Sequence, residues 1–141
     1  THMGLLPYYK GMDVVESPLL DGQVDAVALN THLMTKGLDE GPLVQLMSFN
    51  PDDYAFIGEL RNEISAFLPI IALDSLCGLA SGRLKPIIQD LNLGKQYFFV
   101  ENRLISMLND VMSSRNNNLS NQIDRNKNIE LFNNFVELFL K

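Results

Sequence analysis

Few residues in this chain have the chemistry that catalysis needs. His32 and Cys77, the single cysteine, could form a nucleophilic pair if Asp25 or Asp74 oriented the imidazole. For such isolated residues, a packed thiol and an imidazole on a helix surface are the commoner arrangement. We therefore expect no catalytic residues and a protein that is not an enzyme.

Acidic pairs and glycines are the other candidates for chemistry. Asp21 and Asp25, like Glu59 and Glu63, stand four positions apart and would share a helix face. Helical di-iron sites combine this spacing with a Glu-x-x-His pair, which the sequence lacks. The glycines around Gly82 match neither the phosphate-loop pattern nor the dinucleotide-binding pattern. We expect no metal ligands and no cofactor.

Aromatic side chains are concentrated in two places. Three rings are consecutive at positions 97–99, and three more lie in the largely apolar segment 129–140. Aromatic anchors dominate the binding energy of interfaces, so rings in excess of what a core can hold indicate a binding face. The candidate interface residues are Tyr97, Phe98, Phe99, Phe132, Phe135, Val136 and Phe139.

Helix signals are expected to position these residues. Ser17-Pro18 is typical of a helix start, and apolar residues at spacings of 4, 3, 4 and 3 continue the pattern to Met34. Asn50-Pro51, followed by two aspartates, predicts a second start, with carboxylates near the positive end of the helix dipole.

Further helices follow from the rest of the pattern. Gly41-Pro42 indicates a small helix through Phe49. A broad apolar face predicts a helix over 97–112, and two apolar stripes predict another over 129–140. Between them, 113–128 is rich in Asn and nearly free of apolar residues, so we expect a mobile loop there.

These elements together predict an all-α fold. We expect a compact helical bundle of about five to six helices, because no hairpin signal and no strand-like alternation is evident. A small α/β unit remains the rival, with buried strands at Val24–Leu29 and Pro69–Leu73.

Composition and charge limit the classes of function. The chain has 141 residues, of which 46% are hydrophobic, which suits one globular domain. A net charge of −6 argues against nucleic-acid binding by this domain. We interpret residues 1–3 as a cloning remnant and 4–141 as a single helical domain. The longest apolar stretch, Ala66 to Leu73, is too short for a membrane span, and no secretory signal is evident, so we expect a cytoplasmic protein.

No family is identified from the whole chain, but two segments resemble parts of known families. Leu84 to Ile105 is similar to part of a RUN domain, an all-α module that binds small GTPases. Arg125 to Phe139 is similar to the last helix of sensory domains in bacterial AraC-type regulators. Neither resemblance covers more than a third of the chain, and neither supplies functional residues.

The function expected from these observations is a non-enzymatic, regulatory helical module. It would bind a protein partner, or a second copy of itself, through an apolar helix face. The alternative is a ligand-sensing or dimerisation domain of a regulatory protein such as a transcription regulator. Six methionines and eight phenylalanines could line an adaptable pocket for a small apolar ligand in such a domain.

Overall fold

Short strands and helices alternate along residues 1–118, the part of the chain that the computed structural model describes. This part contains three helices and four strands. In chain order they are β1 (Tyr9–Gly11), α1 (Glu16–Leu20), β2 (Ala28–His32), β3 (Leu43–Ser48), α2 (Ile57–Ala80), β4 (Lys95–Tyr97) and α3 (Asn102–Asn118). Two 3-10 turns, Val24–Ala26 and Pro51–Asp53, precede β2 and α2.

The strands form two small sheets. β2 and β3 are antiparallel, with Ala28 opposite Ser48, and β1 and β4 are parallel, with Tyr9 opposite Lys95. Two isolated bridges extend the first sheet, because His2 pairs with Asn30 of β2 and Ile87 pairs with Leu43 of β3. The fold is therefore α/β, and the prediction of an all-α bundle is wrong.

The main error lies in the segment predicted as one helix from Ser17 to Lys36. A helical turn is present, but Ser17 lies inside it and does not cap it, because α1 begins at Glu16 with Val15 as its N-cap. The helix ends at Leu20, and Gly22 follows with φ +72°. β2 is buried on both faces, and a strand of that kind shows no alternation in its sequence. Its apolar residues matched a helical period by chance. The α/β rival had the right class, although its second proposed strand, Pro69–Leu73, lies inside α2.

Within the ranges of the other predicted helices, too, the structure has less helix than expected. The small helix expected to run through Phe49 is strand β3. Asn50 does cap, since its side chain accepts the Asp52 N–H, but it caps a 3-10 turn, and α2 begins later, at Ile57. The helix expected over 97–112 is divided into β4 and α3. Since α3 continues to Asn118, it covers the start of the segment expected to be a mobile loop, and 119–141 lie outside the described residues.

The principal core lies between α2 and β2. Leu60, Ile64 and Ile71 of α2 are buried against Leu29 of β2. By length and composition alone α2 would also pass as a membrane-crossing helix, as core helices can. The buried members of this core are Val15, Val27, Leu29, Tyr54, Ile57, Leu60, Ile64, Ile71 and Met112.

An ion pair ties α1 to α2 beside this core. Glu16 is almost fully buried, and its Oε1 lies 2.6 Å from Nε of Arg61, whose Nη2 also contacts Asp13 at 2.8 Å. Burial raises the pKa of Glu16, and the Arg61 guanidinium opposes that rise. Asp13 in turn accepts the Val100 N–H, so this network fixes the chain between β1 and α1 and the chain after β4.

Candidate functional site

Three ionisable side chains from separate segments meet beside the first sheet. His2 lies in the segment that bridges to β2, His32 is the last residue of β2, and Asp39 lies in the loop between β2 and β3. Both imidazoles face the same carboxylate oxygen, Asp39 Oδ1, at 3.5 Å from His2 Nδ1 and 3.7 Å from His32 Nε2. We call these three residues the His–Asp–His cluster.

His2 is the most constrained member of the cluster. Its ring is buried, and Nε2 lies 2.7 Å from the Tyr9 carbonyl oxygen. A carbonyl only accepts hydrogen bonds, so Nε2 carries the proton. Burial lowers the pKa of His2, opposed by the Tyr9 hydrogen bond and by the charge of Asp39. In the neutral ring Nδ1 is therefore unprotonated. It lies 3.5 Å from Asp39 Oδ1, so the negative charge of Asp39 would stabilise the ring once Nδ1 takes up a proton.

Asp39 is held from several sides. Its Oδ2 accepts the Gly11 N–H of β1 at 2.9 Å, while Oδ1 faces the two imidazoles. The side chain is only 13% exposed. Its backbone has φ +57°, a left-handed conformation that is uncommon for residues other than glycine.

His32 is the more open of the two histidines. Its Nδ1 lies 3.1 Å from the Leu33 carbonyl oxygen, so this nitrogen is the natural donor, and Nε2 is left towards Asp39. The two imidazole rings meet edge to face, with centroids 6.4 Å apart. His32 does not pair with Cys77, in line with the expectation that these two residues form no nucleophilic pair; Cys77 lies exposed on α2.

Close backbone approach makes two glycines necessary around the cluster. A Cβ atom at Gly4 would lie 2.8 Å from both His2 Nε2 and the Tyr9 carbonyl oxygen. A Cβ atom at Gly41 would lie 1.6 Å from the Leu33 carbonyl oxygen, which is closer than any real contact. The loop that carries Asp39 can pass β2 at this distance only because position 41 has no side chain.

A groove lies next to the cluster along the chain, because Tyr9 belongs to both. The Tyr9 carbonyl contacts His2, and Tyr9 is also one of the residues that line the groove. Its volume is about 480 Å³, and Lys95 and Tyr97 form part of its wall. The Tyr9 and Tyr97 rings are stacked with centroids 5.0 Å apart, and Lys95 Nζ lies 4.6 Å from the centre of the Tyr97 ring. Burial raises the pKa of Tyr97, whose hydroxyl donates to Asp21.

The residues predicted as an interface are only partly described. Tyr97 is half-buried in β4, while Phe98 and Phe99, which follow it, are 71% and 75% exposed. Phe132, Phe135, Val136 and Phe139 lie outside the described residues. Their role as an interface stays a prediction.

Sequence reasoning missed two members of the cluster. The interpretation of residues 1–3 as a cloning remnant concerns their origin, which the structure does not test, but it left His2 out of consideration. Asp39 carried a usable signal, since it stands between Gly37 and Gly41. Within residues 1–118, no group of three or more His, Cys, Asp or Glu side chains is arranged to hold a metal ion.

Comparison with known proteins supplies the context for this cluster. A methionyl-tRNA formyltransferase from Pelobacter propionicus is 29% identical over 92 residues, which are 65% of this chain and 28% of that protein. The chain is thus similar to a formyltransferase. No family model matches it.

A solved structure agrees in fold. The crystal structure of an N-formyltransferase from Helicobacter canadensis, in complex with folinic acid and dTDP-3-aminofucose, has a TM-score of 0.55 and 17% sequence identity. The match covers 68% of this chain and 35% of that one. The chain therefore spans about a third of the length of the proteins it resembles.

These findings correct the predicted function. The expectation of a non-enzymatic regulatory module is wrong, because both similar proteins are formyltransferases. The alternative, a sensing or dimerisation domain of a regulator, falls with it. The segment resemblance to an all-α RUN domain also fails, since that segment contains β4.

Proposed function

We propose that this chain is part of an enzyme that transfers a formyl group from a formylated folate to an amine. The observation that supports this most strongly is the His–Asp–His cluster, in a chain similar to a formyltransferase. In this proposal His2 is a native residue of the protein, contrary to its interpretation as part of a cloning remnant.

His2 is the general base of the proposed reaction. The amine nitrogen of the acceptor attacks the formyl carbon, a new C–N bond forms, and the carbonyl oxygen takes the negative charge. His2 Nδ1 accepts the proton that the attacking nitrogen loses. The resulting imidazolium would be stabilised by the hydrogen bond from Nε2 to the Tyr9 carbonyl and by the negative charge of Asp39. Asp39 Oδ1 lies 3.5 Å from Nδ1, an ion-pair contact rather than a hydrogen bond, so the Nδ1 proton is left to the substrate nitrogen.

The second half of the reaction returns the same proton. The C–N bond to the donor collapses as the oxyanion reforms the formyl carbonyl, and His2 Nδ1 gives its proton to the leaving nitrogen. His2 ends neutral, as it began. Asp39 keeps its charge throughout, because it stabilises the imidazolium without taking the proton.

The acceptor is the less defined substrate. The names of the two similar proteins give two amines to try, methionyl-tRNA and dTDP-3-aminofucose, and the Helicobacter structure also contains folinic acid. The groove beside Tyr9 does not by itself select between the two amines, because the Tyr97 ring is stacked on Tyr9 and the Lys95 ammonium lies 3.8 Å from Asp21 Oδ2.

The test is transfer of an isotope-labelled formyl group from a formylated tetrahydrofolate to each amine, catalysed by the complete enzyme of which this chain is proposed to be a part. We expect transfer by the unmodified protein to one of them, and a rate roughly 10²–10⁴-fold lower in His2→Gln, the range for loss of a general base. Asp39→Asn should also slow transfer, whereas Asp90→Asn, at an exposed aspartate, should not. Absence of transfer to both amines, or full activity of His2→Gln, would overturn the proposal.

A partner and a location for the protein are also proposed. A protein partner, or self-association, and a cytoplasmic location are compatible with formyl transfer. The exposed Phe98 and Phe99 side chains remain the candidate interface for such a partner.

A further inference from the structure

The backbone at Asp39 needs an external support. A φ of +57° is a left-handed backbone conformation, which is less stable than the ordinary one for a residue that has a Cβ atom. The side chain must nevertheless stay between the Gly11 N–H and the two imidazoles for the cluster to exist. Something must hold the 37–41 loop in this conformation.

Gln89 makes the contacts that can do so. Its Nε2 donates both hydrogens to the loop, one to the Asp39 carbonyl at 2.9 Å and one to the Gly41 carbonyl at 2.5 Å. One amide group therefore bonds the residues on both sides of Glu40. Its Oε1 is buried with no hydrogen-bond partner among the described residues, so the side chain keeps its place through its two N–H bonds.

The burial of Gln89 contrasts with that of its neighbours. Among residues 81–96 Gln89 is the single buried residue, while Ile87 and Ile88 are 69% and 86% exposed. A segment that exposes isoleucines and buries glutamine is not held by apolar packing. It is docked by the Ile87–Leu43 bridge, whose two hydrogen bonds measure 2.7 and 2.8 Å.

We propose that Gln89 is a positioning residue that fixes Asp39 against His2 by clamping the Asp39 and Gly41 carbonyls. The role in catalysis rests on the proposed formyl transfer, but the clamp itself is a statement about the positions of Asp39 and His2. Without the two N–H bonds, the loop relaxes and the carboxylate moves away from the His2 ring and from the Gly11 N–H.

The test uses NMR to detect a change in the position of Asp39 through two groups that it contacts, the His2 imidazole and the Gly11 amide. The first readout is the pKa of the His2 imidazole, which Asp39 raises against burial, so Asp39→Asn lowers it. The second is hydrogen exchange of the Gly11 amide, which should be roughly tenfold faster once its bond to Asp39 is lost.

Gln89→Met keeps the length of the side chain but removes both donors. We expect it to lower the His2 pKa and to speed Gly11 exchange. When Asp39→Asn is already present, it should lower the His2 pKa no further, because the charge that raises that pKa is already gone. Gln45→Met is the matched control, because Gln45 accepts a hydrogen bond from Ser75 on α2 and should leave both readouts unchanged. Ile87→Pro, which removes the N–H that docks the segment at an exposed position, should reproduce the effect of Gln89→Met.

The outcomes separate the clamp from the function. Wild-type readouts in folded Gln89→Met, or in Ile87→Pro should Gln89→Met not fold, would overturn the clamp. An unchanged His2 pKa in Asp39→Asn would overturn the His2–Asp39 pairing on which the clamp depends. Neither readout requires formyl transfer, so an inactive protein with the expected NMR changes would contradict the proposed function and leave the clamp standing.

Discussion

The two faces of β2 show how one strand separates stability from chemistry. Leu29 and Thr31 face α2, where Leu29 joins the apolar core and the Thr31 hydroxyl lies 2.6 Å from that of Ser75. Asn30 and His32 lie on the opposite face, where the Asn30 side chain donates a hydrogen bond to the Gly4 carbonyl and the His32 ring contacts Asp39. Alternation along the strand therefore places the side chains that stabilise the fold on one face and those that form the site on the other.

The largest expected effect on stability comes from the face towards α2. Leu60 is fully buried beneath β2, so Leu60→Ala leaves a cavity and should lower the free energy of unfolding by about 2–5 kcal/mol. Urea denaturation measures this change. While the variant is still folded, its His2 pKa should match that of the wild type; a shifted pKa would show that the two faces are not separate. Leu46→Ala, at an exposed leucine of β3, is the control and should change stability by less than about 0.5 kcal/mol.

The second largest loss of stability is expected on the face of β2 that carries Asn30 and His32. The Asn30 side chain is fully buried and donates to the Gly4 carbonyl beside His2. Asn30→Ala leaves that carbonyl unpaired, so we expect a loss of about 1–3 kcal/mol in urea denaturation. Asn30→Ala should also shift the NMR resonances of the His2 imidazole. An undisturbed His2 would mean that Asn30 supports the fold alone.

Thr31→Val tests the polar pair on the α2 face and should have a smaller effect. It removes a hydroxyl from a chain of side chains in which Ser75 also donates to Gln45, so Ser75 can keep a partner. We expect a loss of about 0.5–1.5 kcal/mol in the same denaturation assay, with the His2 pKa unchanged. A loss above that of Asn30→Ala would reverse the expected order of these two variants.

The pH dependence of stability should be the smallest effect and isolates His2. Because burial lowers the folded pKa of His2 below its ordinary value of 6.5, the unfolded chain binds a proton more readily. The contribution of neutral His2 is present above pH 6.5 and is lost as pH falls below it. Thermal unfolding of wild type and His2→Gln from pH 7.5 to 5.5 should show a steeper loss in the wild type. Parallel curves would contradict the lowered pKa. Glu16, whose raised pKa gives the opposite slope, is common to both proteins.

Local signals in the sequence were correct where a local interaction decides the structure. Asn50 does cap, although it caps a 3-10 turn, and a short helix does contain Ser17-Pro18, although it begins at Glu16 with Val15 as its N-cap. The class of fold was not predictable in this way. The buried strand β2 has no period that distinguishes it from a helix, and pairing with β3 decides its conformation.

The site was less predictable than the fold. The sequence offers only Cys77 as a nucleophilic partner for His32, because these are the one histidine outside residues 1–3 and the single cysteine. His2 and Asp39 are 37 positions apart, and only the His2–Asn30 bridge and the loop after β2 bring them together. The support from Gln89 comes from a still more distant segment, which carries no motif.

The most direct measurement of the central claim is the protonation of the His2 ring at pH 7. Long-range ¹⁵N–¹H correlation of the imidazole distinguishes the two neutral forms from the imidazolium. A neutral ring with its proton on Nε2 and an unprotonated Nδ1 beside Asp39 is the state that a general base requires, and it is the result we expect. A proton on Nδ1, or a ring fully protonated at pH 7, would contradict the account.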